Sequence, residues 1–225
     1  MRFLVIEGLD GSGKSTQVNL LRSFLEKASV RFKYLHFPRL EEGVYGKLIA
    51  RFLRGEMGDI DRVDPYLVAL IFAGDRMEAK PIIEQWIEQD YLVILDRYVY
   101  SNIAFQGAKF ADENEQLRLA DWIMNLEFNF HKLPVPDVNV YLDVPFSFTK
   151  KLLTGQRKGD ERGYLKGQHD IHENDLEFQK KVHDIYHSVC SKLGNLEVVN
   201  CANDLGEMKR EEEIFESLKE VLGYG

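Results

Sequence analysis

The sequence is poor in cysteine and has no long hydrophobic run. Its two cysteines, Cys190 and Cys201, do not have metal-ligand spacing, which indicates a reducing compartment without a disulfide framework. No apolar run approaches the roughly 18 residues that a membrane span requires. A predicted strand begins almost at once, without the features of a signal peptide. We therefore expect a cytoplasmic protein without a membrane partner.

Positive charge is also scarce, and so are linker sequences. The chain has 29 Lys and Arg against 37 Asp and Glu, a net charge of −8. A broad nucleic-acid-binding surface is therefore not expected, and any basic site must be local. No internal repeat and no segment rich in Pro, Gly or Ser divides the 225 residues. We predict a single domain covering residues 1–225.

Residues 8–16 have the pattern of a phosphate-binding loop, or P-loop, G-x-x-x-x-G-K-[ST]. An apolar run at 3–6 predicts a strand before it, and helical spacing follows it. This geometry turns backbone N–H groups and a helix N-terminus towards phosphates, while Lys14 reaches the β- and γ-phosphates and Ser15 reaches Mg²⁺. The predicted ATP-binding residues are Gly8, Leu9, Asp10, Gly11, Ser12, Gly13, Lys14, Ser15 and Thr16.

Strands and helices alternate along the chain, which predicts an α/β, three-layer P-loop fold with helices on both faces of a mainly parallel, five-stranded sheet. Asp64 and Pro65 are typical of a helix start, and Pro81 either kinks that helix or begins a new segment. A further amphipathic helix is predicted over 113–129. The predicted strands are 3–6, 34–37, 92–95, 138–143 and 196–199.

Residues 154–172 interrupt this pattern with glycines and with four basic residues, Arg157, Lys158, Arg162 and Lys166. The segment is either a solvated loop or a lid that closes over phosphates. The lid is favoured because the P-loop requires a polyanionic ligand.

Asp96 and Arg97 follow the predicted third strand, where α/β sheets place ligand-binding residues. Asp96 could hold Mg²⁺ through water or orient Arg97, and Arg97 could bind a phosphate through two hydrogen bonds. An ion pair at the end of a strand is the structural alternative. Beside a P-loop, the pair favours a second phosphate brought towards the first.

Five segments together resemble the thymidylate kinase family, and they extend over most of the chain. The resemblance implies transfer of the γ-phosphoryl group of ATP to dTMP in dTTP biosynthesis, with Mg²⁺, in a homodimer. The segments are EGLDGSGKST at 7–16, FPR at 37–39, FAGDR at 72–76, DRYVYSNIAF at 96–105 and DIHE at 170–173.

The resemblance also implies where the base of dTMP binds. Phe72 would stack on the pyrimidine, a contact worth about 1–3 kcal/mol per base. Arg76, one helical turn later, would donate to thymine O4 and so select against cytosine, which presents a donor there. Core packing is the alternative for Phe72 and for Phe105.

The remaining substrate roles follow from the same resemblance. Arg39 and Arg97 would hold the dTMP phosphate, and Asp10 would accept from the 3′-hydroxyl. Phe105 would pack under the sugar. The other predicted dTMP-site residues are Phe37, Ser101 and Asn102. The predicted catalytic residues are Lys14, Asp96, Arg97, Arg157 and Arg162, and Ser15 and Asp96 are the predicted Mg²⁺ ligands.

Some family members carry an arginine directly after the P-loop aspartate, where this chain has Gly11. The sequence therefore resembles the members that supply this arginine from the lid, and Arg157 and Arg162 both remain candidates. The lid and the turn at 200–203 are expected to contact adenine.

Two other functions are compatible with a P-loop, and two histidine pairs resemble metal ligands. Another P-loop nucleotide or deoxynucleoside kinase would share the fold, and a GTPase-like regulatory module would need an Asn-Lys-x-Asp motif, which is absent. The pairs His169/His172 and His183/His187 have metal-like spacing. Without a convergent third ligand we expect them to be surface residues.

Overall fold

The computed structural model describes residues 2–154, 160–165 and 170–224, and the side chains of residues 61 and 160–162 lie outside that description. None of the helices in these ranges combines the length and the apolar character that a bilayer-spanning segment needs.

The described residues form one five-stranded sheet, and every strand pair in it is parallel. The spatial order is β2-β3-β1-β4-β5, so the first strand is central. The predicted α/β fold with a five-stranded sheet is confirmed. The strands are β1 Phe3–Glu7, β2 Phe32–His36, β3 Leu92–Asp96, β4 Val138–Asp143 and β5 Leu196–Asn200.

Helices cover both faces of this sheet because its strands are apolar on both sides. In β1, Val5 packs into a core that includes residues of α3, α4, α5 and α7, whereas Ile6 packs into a core with α1 and α8. The helices are α1 Lys14–Lys27, α2 Gly43–Leu53, α3 Pro65–Glu88, α4 Val99–Gly107, α5 Glu113–Met124, α6 Phe146–Thr154, α7 Leu176–Ser188 and α8 Glu211–Val221.

Helix α3 begins at the predicted position and continues past Pro81. The Asp64 side chain accepts hydrogen bonds from the backbone N–H groups of Tyr66 and Leu67, which caps the helix. The helix runs through Pro81 to Glu88, so the alternative in which Pro81 starts a new segment is wrong.

The helix predicted over 113–129 changes its geometry partway. It is α-helical to Met124 and continues as a π-helix over Asn125–Phe130. Wider turns of this kind occur often at functional sites. Here the turn carries the fully buried side chain of Glu127.

Candidate active site

The carboxyl ends of β1, β2 and β3 open onto one cavity of about 220 Å³. This is the edge at which parallel α/β sheets bind ligands. The residues predicted from sequence that line it are Asp10, Gly11, Lys14, Ser15, Phe37, Phe72, Arg76, Asp96, Arg97, Ser101, Asn102 and Phe105. Among the predicted residues whose side chains the structure describes, those that do not line it are Gly8, Leu9, Ser12, Gly13, Thr16 and Arg39.

The P-loop holds its lysine with its own backbone. Lys14 Nζ donates to the carbonyl oxygen of Leu9 at 2.8 Å and to that of Gly8 at 3.2 Å. Gly13 has φ 79°, in the left-handed region that favours glycine, and it immediately precedes α1. Burial, with Arg97 nearby, lowers the pKa of the Lys14 ammonium to about 8. An incoming polyphosphate would stabilise the charged form of this lysine.

Arg97 is aimed at the P-loop by an unusual backbone conformation. Its φ is 68°, and left-handed geometry in a non-glycine residue costs on the order of 1–3 kcal/mol. Its guanidinium donates to Asp10 Oδ1 at 2.7 Å and to Ser101 Oγ at 3.1 Å, and it lies over the Phe105 ring. The third strand and the P-loop are therefore joined at one cation.

Asp10 is held from two sides. Besides Arg97, the amide Nε2 of Gln179 on α7 donates to Asp10 Oδ2 at 2.8 Å. Burial alone would raise the pKa of the Asp10 carboxyl, but Arg97 and Lys14 lower it overall. Asp10 is therefore an ionised hydrogen-bond acceptor on the cavity wall. Gln179 could not be predicted from local sequence because it lies 169 positions away.

Glu7 fastens the start of α4 to the end of β1. Its fully buried carboxyl accepts from the backbone N–H groups of Tyr98 and Ser101 at 3.0 and 3.2 Å, and from the Tyr186 hydroxyl at 3.0 Å. The Ser101 hydroxyl also donates to it. Burial raises the pKa of this carboxyl. A charged residue ending the apolar run 3–7 was the available sequence signal for this role.

Asp96 meets the requirements of a magnesium ligand. It is buried, and His36 Nδ1 lies 3.3 Å from its Oδ2. No group within the described ranges hydrogen-bonds its buried Oδ1. Burial opposes ionisation, but His36 and Lys14 lower the pKa of Asp96 to about 2. A charged carboxylate oxygen and the Ser15 hydroxyl on one cavity are hard oxygen donors, which Mg²⁺ prefers.

At the opposite end of the cavity, Arg76 forms a buried ion pair with Glu127, a partner that was not predicted from the sequence. Its Nη2 donates to Glu127 Oε1 at 2.7 Å, and its Nε also donates to this carboxylate. The two side chains are 2% and 0% exposed. Glu127 lies 51 positions away, so no local pattern could reveal the pair. Nη1 is the remaining guanidinium nitrogen of Arg76.

Two amide side chains of α4 add polar atoms to this end. Asn102 Nδ2 donates to Glu127 Oε1 and to the Ala69 carbonyl oxygen, both at 3.0 Å. In the part of the chain that the structure describes, Asn102 Oδ1 and both amide atoms of Gln106 are buried without a hydrogen-bond partner. Gln106, one helical turn after Asn102, lines the same cavity and was missed. Buried polar atoms without partners facing a cavity indicate a polar ligand.

The two candidate aromatic residues differ in their packing. Phe72 is half-buried and lines the cavity, so its ring is available to a ligand. Phe105 is 7% exposed and belongs to the main core, although it also lines the cavity. Phe105 therefore packs in the core and also forms part of the cavity wall, and its contact with a sugar stays a prediction.

Arg39 lies in a network of acidic groups beside the cavity. Its backbone N–H and its Nε donate to the Asp75 carboxylate at 2.9 and 3.0 Å, and its Nη2 donates to the Asp75 carbonyl oxygen. Glu42 and Glu78 also pair with it. Arg39 must exchange some of these partners if it is to reach a bound phosphate.

The predicted lid, 154–172, lies only partly within the described ranges. Arg157 is outside them, and Arg162 belongs to a 3-10 helix, Asp160–Leu165, with its side chain outside the description. The described parts pack on the end of α2, where Arg54 Nη1 donates to the Tyr164 carbonyl oxygen at 2.7 Å and the Ile171 N–H to the Leu53 carbonyl oxygen at 2.9 Å. The described lid residues Tyr164, Asp170 and His172 therefore form one wall of the cavity.

The expectation that His172 is a surface residue is wrong. It is 4% exposed, and its ring lies 5.1–5.5 Å from the rings of Phe52, Phe105 and Phe178. Burial lowers the pKa of His172 to about 3, so its ring is neutral at physiological pH. Its partner in the predicted pair, His169, lies outside the described residues.

The expectation that His183 and His187 are surface residues is confirmed for His187, which is exposed, whereas His183 is half-buried. The structure adds a carboxylate beside the pair that the sequence did not reveal. Asp143, the last residue of β4, places Oδ1 at 3.2 Å from His183 Nε2 and 3.1 Å from His187 Nε2. Asp143 is distant in sequence, so spacing alone could not bring it to the pair.

A second cavity, of about 210 Å³, lies on the other side of the P-loop. Its wall includes Ser12, Thr16, Met208 and Lys209. The turn at 200–203, predicted to contact adenine, does not line it directly, although Lys209 Nζ donates to the Asn200 carbonyl oxygen at 2.8 Å.

Comparison with known proteins assigns this architecture to one family. The family model for thymidylate kinase matches residues 6–212. A probable thymidylate kinase of Thermococcus gammatolerans is 31% identical over 215 residues, which are 93% of this chain and 92% of that protein. The thymidylate kinase of Mycobacterium tuberculosis is 34% identical over 183 residues, which are 81% and 83% of the two chains.

A solved structure agrees with these relatives. The thymidylate kinase of Candida albicans superposes with a TM-score of 0.71 at 26% identity, covering 99% of this chain and 91% of that chain. The family match covers the P-loop, the Asp96–Arg97 segment and the Arg76 helix together. The chain therefore belongs to the thymidylate kinase family, and it is a nucleoside monophosphate kinase.

Proposed function

We propose that the thymidylate kinase reaction, transfer of the γ-phosphoryl group of ATP to dTMP, takes place in the cavity between the P-loop and α4. The observation that supports this most strongly is that Lys14 and Arg97 line the same cavity as Phe72 and Arg76. Cationic side chains at one end suit phosphates, and an aromatic face with polar atoms at the other suits a base. The product, dTDP, would then enter dTTP biosynthesis.

The ATP phosphates would bind residues 8–16. Lys14 Nζ would exchange the Gly8 and Leu9 carbonyl oxygens for the β- and γ-phosphate oxygens. Ser15 and Asp96 would hold Mg²⁺, which neutralises charge on the phosphate oxygens when it is bound. Adenine would lie towards the second cavity, between the lid and the turn at 200–203.

The dTMP phosphate would bind Arg97 and Arg39, and Asp10 would accept from the sugar 3′-hydroxyl. Since Asp10 also pairs with Arg97 Nη2, sugar and phosphate recognition would share one ion pair. Phe37, Phe105 and Ser101 would complete the walls around the sugar and phosphate.

The thymine base would stack on Phe72 and meet polar atoms along its edge. Arg76 Nη1 would donate to O4, and Asn102 Oδ1, buried and without a partner among the described residues, would accept from the ring N3–H. Glu127 would hold Arg76 in place through two guanidinium nitrogens. Cytosine would present an amino donor to Arg76 and no N3–H to Asn102, so it would be rejected at both atoms.

Positioning and charge stabilisation would account for most of the catalysis. The acceptor is an anionic phosphate near pH 7, so no strong general base is required. Arg97 would align this phosphate with the γ-phosphorus, and Arg157 or Arg162 of the lid would stabilise the charge on the transferring group. Lid closure would exclude water and suppress ATP hydrolysis.

We further propose that the protein is a cytoplasmic homodimer. Three apolar side chains of α3, Leu67, Leu70 and Met77, lie at helical spacing and are 58%, 42% and 39% exposed. A second copy would cover this stripe. Sedimentation equilibrium should give twice the mass of the chain, and Leu70→Glu should shift the equilibrium towards the monomer.

The test of the proposed activity is a substrate panel. ATP and Mg²⁺ are supplied with dTMP, dUMP, dCMP, AMP or GMP, and ADP and nucleoside diphosphate are both measured. The expected result is the highest kcat/KM with dTMP. A higher kcat/KM with dCMP or AMP would contradict the assignment.

A further inference from the structure

We propose that Asp143, His183 and His187 form a binding site for a divalent first-row transition metal of the Zn²⁺ class. This site lies where β4 ends against α7, and it uses none of the residues assigned to nucleotide binding. Its ligands would be two imidazole nitrogens and one carboxylate oxygen.

The two histidines are placed for ligation by the helix that carries them. His183 and His187 are four residues apart on α7, so they lie on one face, with ring centroids 4.6 Å apart. Both direct Nε2 at the same atom, Asp143 Oδ1, at 3.2 and 3.1 Å. Two imidazole nitrogens and one carboxylate oxygen, three potential metal ligands, therefore lie next to one another.

The distances suit a metal ion. Zinc–nitrogen and zinc–oxygen bonds are about 2.0–2.2 Å, so neighbouring ligand atoms of a tetrahedral site lie about 3.3–3.6 Å apart. The ligand atoms of the three residues all lie within 4.8 Å of one another, and the two nitrogen-to-oxygen distances are close to the tetrahedral value. Only a small outward shift of each side chain would admit the ion.

The exposure of the three side chains and the contacts around the two imidazole rings also suit a metal site. The side chains of Asp143, His183 and His187 are 24%, 25% and 43% exposed, so a metal can enter and a water can complete the coordination. The other ring nitrogen of His183 faces the Asp184 carboxylate at 3.4 Å, and such a contact orients a ligating imidazole. The His187 ring packs edge-on against Tyr141.

The donor set selects the class of metal. Imidazole nitrogen favours Zn²⁺, Co²⁺, Ni²⁺ and Cu²⁺, whereas Mg²⁺ and Ca²⁺ require oxygen ligands. A bound ion would join α7 to the carboxyl end of β4. Because α7 also supplies Gln179 to Asp10 and Tyr186 to Glu7, the ion would stabilise the helix that supports the active-site wall.

The test uses the full-length protein, stripped of metal and free of nucleotide, titrated with Zn²⁺ in a calorimeter. The expected result is one saturable site, with affinity reduced by more than about 100-fold in His183→Asn and in His187→Asn, since even loss of an outer-shell partner costs roughly 10–100-fold. His131→Asn, which alters a histidine outside the cluster, should bind as the wild type does.

A second readout identifies the ligands. Co²⁺ in place of Zn²⁺ should give the intense visible absorption of a four-coordinate complex, lost in both histidine variants. At about a hundredfold excess over Kd, Zn²⁺ should raise the Tm of the wild type by about 5–10 °C and leave that of the variants unchanged. Circular dichroism in EDTA verifies that the variants are folded.

Two outcomes would overturn the proposal. One is the absence of saturable Zn²⁺ and Co²⁺ binding, in which case the three residues form only a hydrogen-bonded histidine–carboxylate cluster. The other is binding that survives in His183→Asn and His187→Asn but is lost in His36→Asn. That result would place the metal at His36 and Asp96 in the nucleotide cavity instead.

Discussion

The proposed phosphate end and the proposed base end of the nucleotide cavity are built in opposite ways. At the phosphate end, a short continuous motif supplies Lys14, and its ammonium rests on carbonyl oxygens of its own loop. At the base end, Arg76 depends on Glu127 from a different element, while Asn102 and Gln106 keep polar atoms without partners in the described structure. The position of Lys14 at the proposed phosphate end is therefore set by local sequence, whereas the proposed base end depends on contacts between distant residues.

The largest expected effect tests the dependence of the base end on packing. Glu127→Ala leaves the buried Arg76 guanidinium unpaired and should lower the free energy of unfolding by about 3–5 kcal/mol. The double variant Arg76→Met/Glu127→Leu removes both charges and should recover most of this loss. Urea denaturation measures both values. Equal instability of the single and double variants would show that the ion pair itself is not the cause.

The next effect belongs to the phosphate end. Lys14→Ala should lower kcat by about 10²–10³-fold because it removes a cation from the transferring phosphoryl group. Affinity for dTMP, measured by calorimetry, should change far less. Lys27→Ala, at the exposed end of the same helix, is the matched control. Equal losses in kcat and in dTMP affinity would contradict the assigned role.

Arg157 and Arg162 of the predicted lid are proposed to add a cation to the phosphate end. Of Arg157→Ala and Arg162→Ala, tested separately, one should lower kcat by about 10²-fold, since a single cation is needed at the transferring group. The exposed Arg62→Ala serves as the control. If both lid variants retain the wild-type kcat, the lid does not supply the catalytic cation.

Removal of the Arg76–Glu127 pair should weaken the selection of thymine over cytosine and leave phosphate binding intact. The double variant Arg76→Met/Glu127→Leu should reduce the ratio of kcat/KM for dTMP to that for dCMP by roughly 10–100-fold, the value of a charged hydrogen bond. Steady-state kinetics with both substrates gives this ratio. An unchanged ratio would exclude Arg76 from reading O4.

The smallest expected effect is a pH dependence of the free energy of unfolding that is caused by His172. Unfolded histidine has a pKa near 6.5, whereas buried His172 has a pKa of about 3, so the unfolded state binds more protons between these values. The contribution of His172 to the free energy of unfolding is therefore fully present above pH 6.5. It decreases on acidification, by up to about 1.4 kcal/mol per pH unit.

His172→Phe tests this assignment, because phenylalanine fits among Phe52, Phe105 and Phe178. Between pH 6.5 and 5 the wild type should lose about 2 kcal/mol more than the variant in urea denaturation. Parallel losses in the two proteins would show that another group is responsible.

The sequence predicts the features that have local signals, whereas it does not reveal partners that are distant along the chain. The five strands and the cap at Asp64 could be predicted because apolar runs and capping residues are local signals. The partners Glu127 and Gln179 could not, because they reach Arg76 and Asp10 only after the chain folds, across 51 and 169 positions. The third member of the histidine cluster, Asp143, was hidden for the same reason.

Burial was the other property that spacing did not reveal. His172 lies in a polar, glycine-containing segment, which is typical of an exposed loop, yet three aromatic rings enclose it. The function of the lid residues Arg157 and Arg162 stays a prediction.

The most direct test of the two-ended cavity is calorimetric binding of dTMP, thymidine and dCMP to three proteins. These are the wild type, Arg97→Met and Arg76→Met/Glu127→Leu. We expect Arg97→Met to remove mainly the difference between dTMP and thymidine, and the double variant to remove mainly the difference between dTMP and dCMP. If each variant reduced both differences equally, or if Arg97→Met left the dTMP–thymidine difference intact, the account of separate phosphate and base ends would be wrong.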